Sequence, residues 1–381
     1  MTETAPTRAA AARRYLISPA FDLGWFALPG VLTIIAALLI AALDPGGSER
    51  GTLALWIVGV LLVDVTHVYA SLYRTYLDPV ARERHRAKLL LTPALCLWFG
   101  IVLHYEARLL FWGVLAYVAV FHFIKQHVGF VMLYTRAGHE SARDRRLNAA
   151  AVWAGTLGPI LYWHTQLPRE FDWFTRGDFL ALGPRWLGPA LLALELPIWL
   201  AFLARRVELW RKGQANWMVP LLALLPAINW HLGIVVFNDD RIFTITNVFL
   251  HGVPYLALVW VTGGRERVAR GLGRAPDGGA LWTAALALCF YGLLLALALA
   301  EESLWDRLVW HDHPALFGAS SQELAEGGVL EALVVALLTV PQATHYFLDR
   351  WIWRVGPQNP ALAGQLGFPS RPDPAPAAPR A

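Results

Sequence analysis

The sequence predicts an all-α protein, a polytopic transmembrane helical bundle of about ten spans with its N-terminus and C-terminus on the cytoplasmic side. Hydrophobic residues make up 56% of the 381 residues, charged residues make up only 16%, and the mean hydropathy is +0.44. Apolar runs long enough to cross about 30 Å of hydrocarbon recur along the whole chain. Arginine and lysine cluster in alternate loops, which is typical of loops that stay in the cytoplasm.

Each predicted span is an apolar run bounded by charged, Gly or Pro residues. The ten runs lie near residues 24–43, 52–72, 89–104, 108–134, 148–163, 187–204, 217–237, 242–262, 280–300 and 329–352. The loops after the second, fourth, sixth and eighth runs carry the arginine clusters, at residues 74–88, 136–146, 205–212 and 265–274. Both termini also carry arginine, and an even number of spans keeps all these clusters on one side.

The chain divides into three predicted parts. Residues 1–20 form a cytoplasmic lead-in, residues 21–355 form the transmembrane domain, and residues 356–381 form a disordered, Pro- and Ala-rich cytoplasmic tail. The lead-in lacks the short apolar core and cleavage site of a signal peptide. We therefore predict a multi-pass protein of a bacterial-type inner (cytoplasmic) membrane. Its basic residues mark topology, so membrane lipids and not nucleic acid are the predicted partners.

Polar side chains recur inside five of the predicted spans. An ionisable group in a span is energetically costly, so each is a candidate for a functional site. Residues three or four apart share one face of a helix. Four spans each present such a pair, namely Asp64 with His67, His122 with Gln126, Asn247 with His251, and His345 with Asp349. These four spans run in the same direction in the predicted topology, so the side chains can meet in one layer.

Imidazoles and carboxylates at one depth, with few thiols, are the ligands of a non-haem iron, zinc or manganese site. The sequence therefore predicts an intramembrane metal ion, with iron as the first choice. The first-choice ligands are His67, His122, His251 and His345. Second-choice ligands are Asp64, His127 and Asp349, and the supporting residues are Gln126, Asn247 and Gln342. No catalytic residue is assigned beyond this set.

Three functions fit this pattern. The first is a membrane non-haem metal-dependent oxidoreductase, an oxygenase, desaturase or hydroxylase that acts on a lipophilic small molecule such as a lipid or isoprenoid. The second is a proton-coupled transporter or permease, because Asp and His chains also form proton relays. The third is a structural membrane protein whose polar pairs are interhelical hydrogen bonds. Neither an internal repeat nor a Gly-rich phosphate loop is present in the sequence.

Several other polar or aromatic residues have simpler interpretations. Lys125 is expected to reach the membrane interface or to pair with Asp64 or Asp349. His164 lies at the end of an apolar run, where a solvated imidazole needs no partner. The aromatic stretch 171–179 is typical of an interfacial helix on the outer surface.

The segments DVTHVYASLYRTYLDP, FHFIKQHVGF, TNVFLHGVPYLALVW and THYFLDRWIWR resemble those of a family of uncharacterised bacterial multi-pass membrane proteins. That resemblance implies the membrane fold and no particular activity. The scattered intramembrane histidines are also similar in pattern to the Brp/Blh-like β-carotene dioxygenases, integral membrane proteins with His-ligated iron. This second resemblance is one of pattern only, and it implies an iron ion bound by histidines. The compact histidine boxes of membrane fatty-acid desaturases are absent from the sequence.

Overall fold

The computed structural model describes residues 14–44, 46–138, 140–319, 324–356 and 359–368. These residues form helices and connecting loops without a β-strand, so the all-α prediction is confirmed. The ten long helices are α1 (Pro19–Leu43), α2 (Gly51–Arg74), α3 (Arg86–Glu106), α4 (Arg108–Ala137), α5 (Ala142–Gln166), α6 (Leu187–Arg211), α7 (Met218–Val236), α8 (Asp240–Gly271), α9 (Ala280–Trp310) and α10 (Val329–Ile352). Short helices lie at Pro79–Arg84, Pro314–Phe317 and Pro360–Gln365.

Nine of these described helices, all except α5, are long and apolar enough to cross a membrane. They indicate a multi-pass membrane protein. Helix α5 covers the predicted fifth span and has 25 residues, but its first turns carry Arg143, Arg145 and Arg146. By length and composition it is not among the nine candidate spans. The count of ten spans and the cytoplasmic placement of both termini remain predictions.

Side-chain caps fix where three of the helices begin. The Ser18 hydroxyl accepts a hydrogen bond from the Phe21 amide at the start of α1. Ser141 and Asp144 form a reciprocal capping box at the start of α5. Asp239 accepts hydrogen bonds from two backbone amides in the first turn of α8. Each cap satisfies amide groups that a helix leaves without intrahelical partners.

Helix α8 is the most buried of the long helices and lies at the centre of the bundle. It packs against α1 and α2 on one side and contacts α4 and α7 on the other. Helices α3 and α10 pack along each other, and α5 packs against α4, α6 and α7. The helices that bear the predicted site, α2, α4, α8 and α10, therefore surround one interior region.

One buried arginine joins the C-terminal ends of α2 and α10 to a kink in α8, where Thr262 and Gly263 have non-helical backbone angles. Arg74, the last residue of α2, donates hydrogen bonds to the backbone oxygen of Thr262 in α8 at 2.5 Å and to that of Ile352 in α10 at 3.4 Å. It also donates to the Gln365 side chain at 2.9 Å. A guanidinium suits helix C-termini because their last carbonyl groups lack intrahelical partners. The shared clamp shows that α2, α8 and α10 run in the same direction.

The aromatic stretch 171–179 is not the interfacial helix that the sequence predicts. It belongs to a folded loop between α5 and α6, in which Phe171 and Phe179 are buried. The Asp178 carboxylate accepts hydrogen bonds from the backbone amides of residues 173, 174 and 175, which closes a turn instead of a helix. The loop covers one end of the core, where the Trp173 ring contacts the Phe123 ring of α4.

The two predicted terminal segments are only partly described. Residues 1–13 of the lead-in and residues 357, 358 and 369–381 of the predicted tail lie outside the described residues. The described part of the tail contains the helix Pro360–Gln365, and Leu362 and Leu366 are buried against the bundle. Residues 359–368 are thus folded onto the protein because their leucines join its hydrophobic core.

Candidate metal centre

Four histidines from four helices meet in the interior of the bundle. They are His67 of α2, His122 of α4, His251 of α8 and His345 of α10. All four are buried, and none exposes more than 6% of its surface. These are the four first-choice ligands of the sequence analysis, and the structure brings them together.

The four imidazoles form a closed cycle of ring contacts. The ring centroids of His67 and His251 are 4.6 Å apart, and those of His251 and His122 are 5.0 Å apart. The cycle closes through His122 and His345 at 4.8 Å and through His345 and His67 at 5.0 Å. Neighbouring rings are inclined by 65° to 88°, so each presents an edge rather than a face to the next.

The spacing of the ring nitrogens suits one metal ion. One nitrogen from each imidazole lies within 4.8 Å of those of the other three. Two nitrogens bound to one ion lie no more than about 4.2 Å apart, since a metal–imidazole bond is about 2.1 Å long. A bound ion would therefore require the rings to move inward by less than about 1 Å.

The hydrogen-bonding state of these rings also fits a metal site. In the described part of the chain, both ring nitrogens of His67, His251 and His345, and Nε2 of His122, are buried without a hydrogen-bond partner. A buried polar atom without a partner costs about 1–3 kcal/mol. Seven such atoms in one cluster are unusual in a folded protein, and bonds to a metal ion would satisfy four of them.

Two carboxylates flank the cluster. Asp349 lies one turn after His345, with Oδ1 3.7 Å from His345 Nδ1 and Oδ2 3.9 Å from His122 Nε2. The Tyr255 hydroxyl donates to Asp349 Oδ1 at 2.7 Å, which fixes the carboxylate beside the two imidazoles. On the opposite side, Asp64 Oδ1 lies 3.5 Å from His67 Nδ1. Carboxylates in such positions orient ligating imidazoles and increase their basicity.

We expect the substitution Asp349→Asn to weaken metal binding by about 10- to 100-fold, because the variant removes the charge that supports two ligands and keeps the shape of the side chain. The measurement is a competition titration of the purified protein against a chelator. Asp277→Asn, at an exposed loop position, is the matched control and should bind metal like the wild type. Equal affinities for all three proteins would exclude a supporting role for Asp349.

His127, a second-choice ligand, lies outside the four-histidine group. Its ring is buried, but the centroid is 6.5 Å from that of His251. Helix geometry explains the separation, because five residues advance about 500°, which places His127 about 140° around α4 from His122.

The three supporting residues form hydrogen bonds with groups other than the four imidazoles. The Gln126 amide donates to the backbone oxygen of His251 at 2.7 Å and thereby ties α4 to α8. Asn247 donates to the Phe243 carbonyl one turn earlier, and Gln342 donates to the Tyr346 hydroxyl, both at 2.7 Å. Their role in the structure is to hold helices and neighbouring side chains.

Two features of the site were missed by sequence reasoning. The Phe123 ring stacks on the His251 imidazole, with centroids 3.7 Å apart and planes inclined by only 5°. Gly252 lets α8 approach α2, because a Cβ atom at this position would lie 2.6 Å from Val63 Cγ1 and 3.5 Å from His67 Nδ1. Phe123 directly follows His122 in the sequence, and Gly252 directly follows His251. This adjacency to a candidate ligand is the sequence signal that could have identified both residues.

The structure corrects the interpretation of His164 and narrows that of Lys125. His164 is buried rather than solvated, and its Nε2 is 2.8 Å from the Tyr117 hydroxyl. Lys125 is exposed and, within the described residues, forms an ion pair with neither Asp64 nor Asp349.

A cavity of about 720 Å³ lies directly beside the histidines. His122, Tyr346 and Asp349 line its inner wall. Phe121 and Phe347 line its outer part and are 56% and 53% exposed, so the cavity opens between α4 and α10 on the lipid-facing side of the bundle. Its size is that of a small-molecule site.

Comparison of the chain with protein-family models, with curated proteins and with solved structures found no match.

Proposed function

We propose that this protein is a membrane-embedded metalloenzyme of a bacterial-type inner membrane, a non-haem iron oxygenase, desaturase or hydroxylase that acts on a lipid or isoprenoid. The observation that carries the proposal is a cluster of four buried histidines, one of which, His122, lines a cavity that opens toward the lipid. A set of neutral imidazoles suits iron, zinc or manganese. The cavity favours iron among these metals, because it opens toward lipid, and iron would supply the oxidative chemistry that unactivated lipid carbons require.

Iron bound by the four histidines would supply the activation of dioxygen. The residues of the chain perform the other tasks. Asp349, held by Tyr255, orients His122 and His345. Phe123 covers one face of His251, and the buried surroundings keep bulk water from the reacting groups. Tyr346 lines the cavity beside His122, with ring centroids 4.7 Å apart, and is placed to contact a substrate.

The proposal is tested with iron-loaded protein in detergent and nitric oxide as a stable substitute for dioxygen. An iron site with an open position should give the electron paramagnetic resonance signal of a ferrous nitrosyl complex. Oxygen consumption in the presence of a membrane lipid extract, with oxidised lipids detected by mass spectrometry, then tests turnover. Stoichiometric zinc together with iron-loaded protein that binds no nitric oxide would overturn the oxygenase assignment.

A proton-coupled transporter is the second candidate function. A buried carboxylate outside the histidine cluster favours it, because Glu301 of α9 accepts hydrogen bonds from the Tyr69 hydroxyl at 2.6 Å and from the Trp305 indole at 3.2 Å. Intramembrane carboxylates of this kind are typical of proton relays. Protein that binds no metal but moves protons in liposomes would favour this function over the enzyme.

A further inference from the structure

The cavity beside the histidines has a basic region whose charges lack partners. Lys125, Arg350 and Arg354 line it and are exposed. Within the described ranges, none of these three side chains forms an ion pair or a hydrogen bond. The only carboxylate in the cavity wall is Asp349, which already accepts a hydrogen bond from Tyr255. The cavity wall thus carries three cations and one carboxylate that is already hydrogen-bonded. The cavity is electrostatically complementary to an anion.

The rest of the cavity wall is mainly apolar or aromatic. It includes Val118, Phe121, Val128, Leu133 and Phe347. Along α4 the lining extends from Tyr117 to Leu133 with Lys125 midway, and the part that precedes Lys125 rises about 12 Å at 1.5 Å per residue. An apolar groove that extends away from a group of cations matches a molecule that joins a hydrocarbon chain to a charged headgroup.

The positions of the cations along the helices give such a molecule a direction. Lys125 lies three residues after His122, which is about 4.5 Å along α4, and Arg350 lies five residues after His345, about 7.5 Å along α10. Both lie on the C-terminal side of the histidine layer. Tyr117 and Phe121 lie on the N-terminal side of His122, so a chain that starts at the cations and follows α4 passes His122.

We propose that this cavity binds a single-chain anionic lipid, with its carboxylate or phosphate headgroup among Lys125, Arg350 and Arg354 and its hydrocarbon chain beside His122. The inference rests on the proposed function for the identity of this cavity as the substrate site. It adds that the substrate class is an anionic amphiphile instead of a neutral hydrocarbon. The headgroup then places carbons near the start of the chain beside the histidine cluster.

The test uses full-length protein in a neutral detergent and cis-parinarate as a fluorescent fatty-acid probe. Palmitate, hexadecyl phosphate and hexadecanol compete for the probe, and all three carry the same sixteen-carbon chain. We expect both anions to displace the probe at concentrations at least about tenfold lower than hexadecanol, since only they pair with the cations. The stronger of the two anions identifies the headgroup. Equal displacement by all three competitors would overturn the proposal.

Charge-removing variants test whether the three cations cause the preference for anions. The triple variant Lys125→Gln/Arg350→Gln/Arg354→Gln should lose the preference for anions and keep its affinity for hexadecanol. Its control, Arg143→Gln/Arg185→Gln/Arg211→Gln, removes the same charge from exposed positions outside the cavity and should behave like the wild type. An unchanged preference in the first variant, or an equal loss in both, would refute the assignment to these cations.

Two further measurements separate the remaining explanations. Inorganic phosphate alone should not displace the probe; displacement that depends on the three cations would identify a site for free phosphate and overturn the lipid proposal. The titration is repeated with the His67→Ala/His345→Ala variant, in which the probe should still bind. Lipid binding can therefore be measured even if the protein binds no metal, and metal binding can be measured even if the protein binds no lipid.

Discussion

The double substitution His67→Ala/His345→Ala is expected to abolish metal binding, from about one ion per chain in the wild type to less than about a tenth. The variant removes two of the four imidazoles, and the two that remain, His122 and His251, would bind an ion much more weakly than four. The measurement is elemental mass spectrometry of protein purified in detergent without chelators. This is the largest functional effect that the structure predicts.

The control for this experiment is His127→Ala. His127 is also a buried histidine of a site helix, but it lies outside the four-histidine group, so its variant should keep the metal. Thermal unfolding of each variant without added metal shows whether the bundle remains folded. Stoichiometric metal in the folded double variant would exclude His67 and His345 as ligands, whereas metal-free wild type would refute the metal centre.

The substitution Arg74→Met is expected to lower the free energy of unfolding by about 3 kcal/mol, because it leaves buried carbonyl groups of α8 and α10 without their charged donor. Methionine keeps most of the length of the side chain, so the loss reports on the hydrogen bonds more than on packing. The measurement is the thermal midpoint of unfolding in detergent. Metal affinity should fall as well, since Arg74 joins three of the helices that carry the four-histidine group.

Arg211→Met, an exposed change of the same chemistry, serves as the control and should leave the midpoint unchanged. Arg74→Lys should be intermediate, because an ammonium keeps the charge but cannot reproduce the forked geometry of a guanidinium. A wild-type midpoint for Arg74→Met would show that the three helices are held by other contacts.

Much of the fold could be predicted because lipid imposes a simple rule on the sequence. A long apolar run without charges has few alternatives to a helix, and nine such runs are helices of spanning length in the described chain. Helix α5 does not follow the rule. Its polar first turns and its close packing against neighbouring helices show that burial by protein replaces contact with lipid, which a hydropathy profile does not register.

The meeting of the four histidines could be predicted because a buried imidazole in a span needs a partner, and helices that run in the same direction bring residues of similar depth together. His127 shows the limit of reasoning from depth alone, since its direction around the helix separates it from the group. The loop around Asp178 could not be predicted, because its turn depends on one carboxylate that accepts three amides. Aromatic composition alone favoured an interfacial helix there.

The distribution of the four histidines along the chain bears on how the protein is made. His67, His122, His251 and His345 come from four separate helices, and the last of these lies near the end of the sequence. A chain emerging from the ribosome therefore carries only three of the four histidines until α10 has been synthesised and inserted. A metal ion that needs all four would be loaded late in biogenesis, and an occupied centre would report that the whole bundle has been assembled.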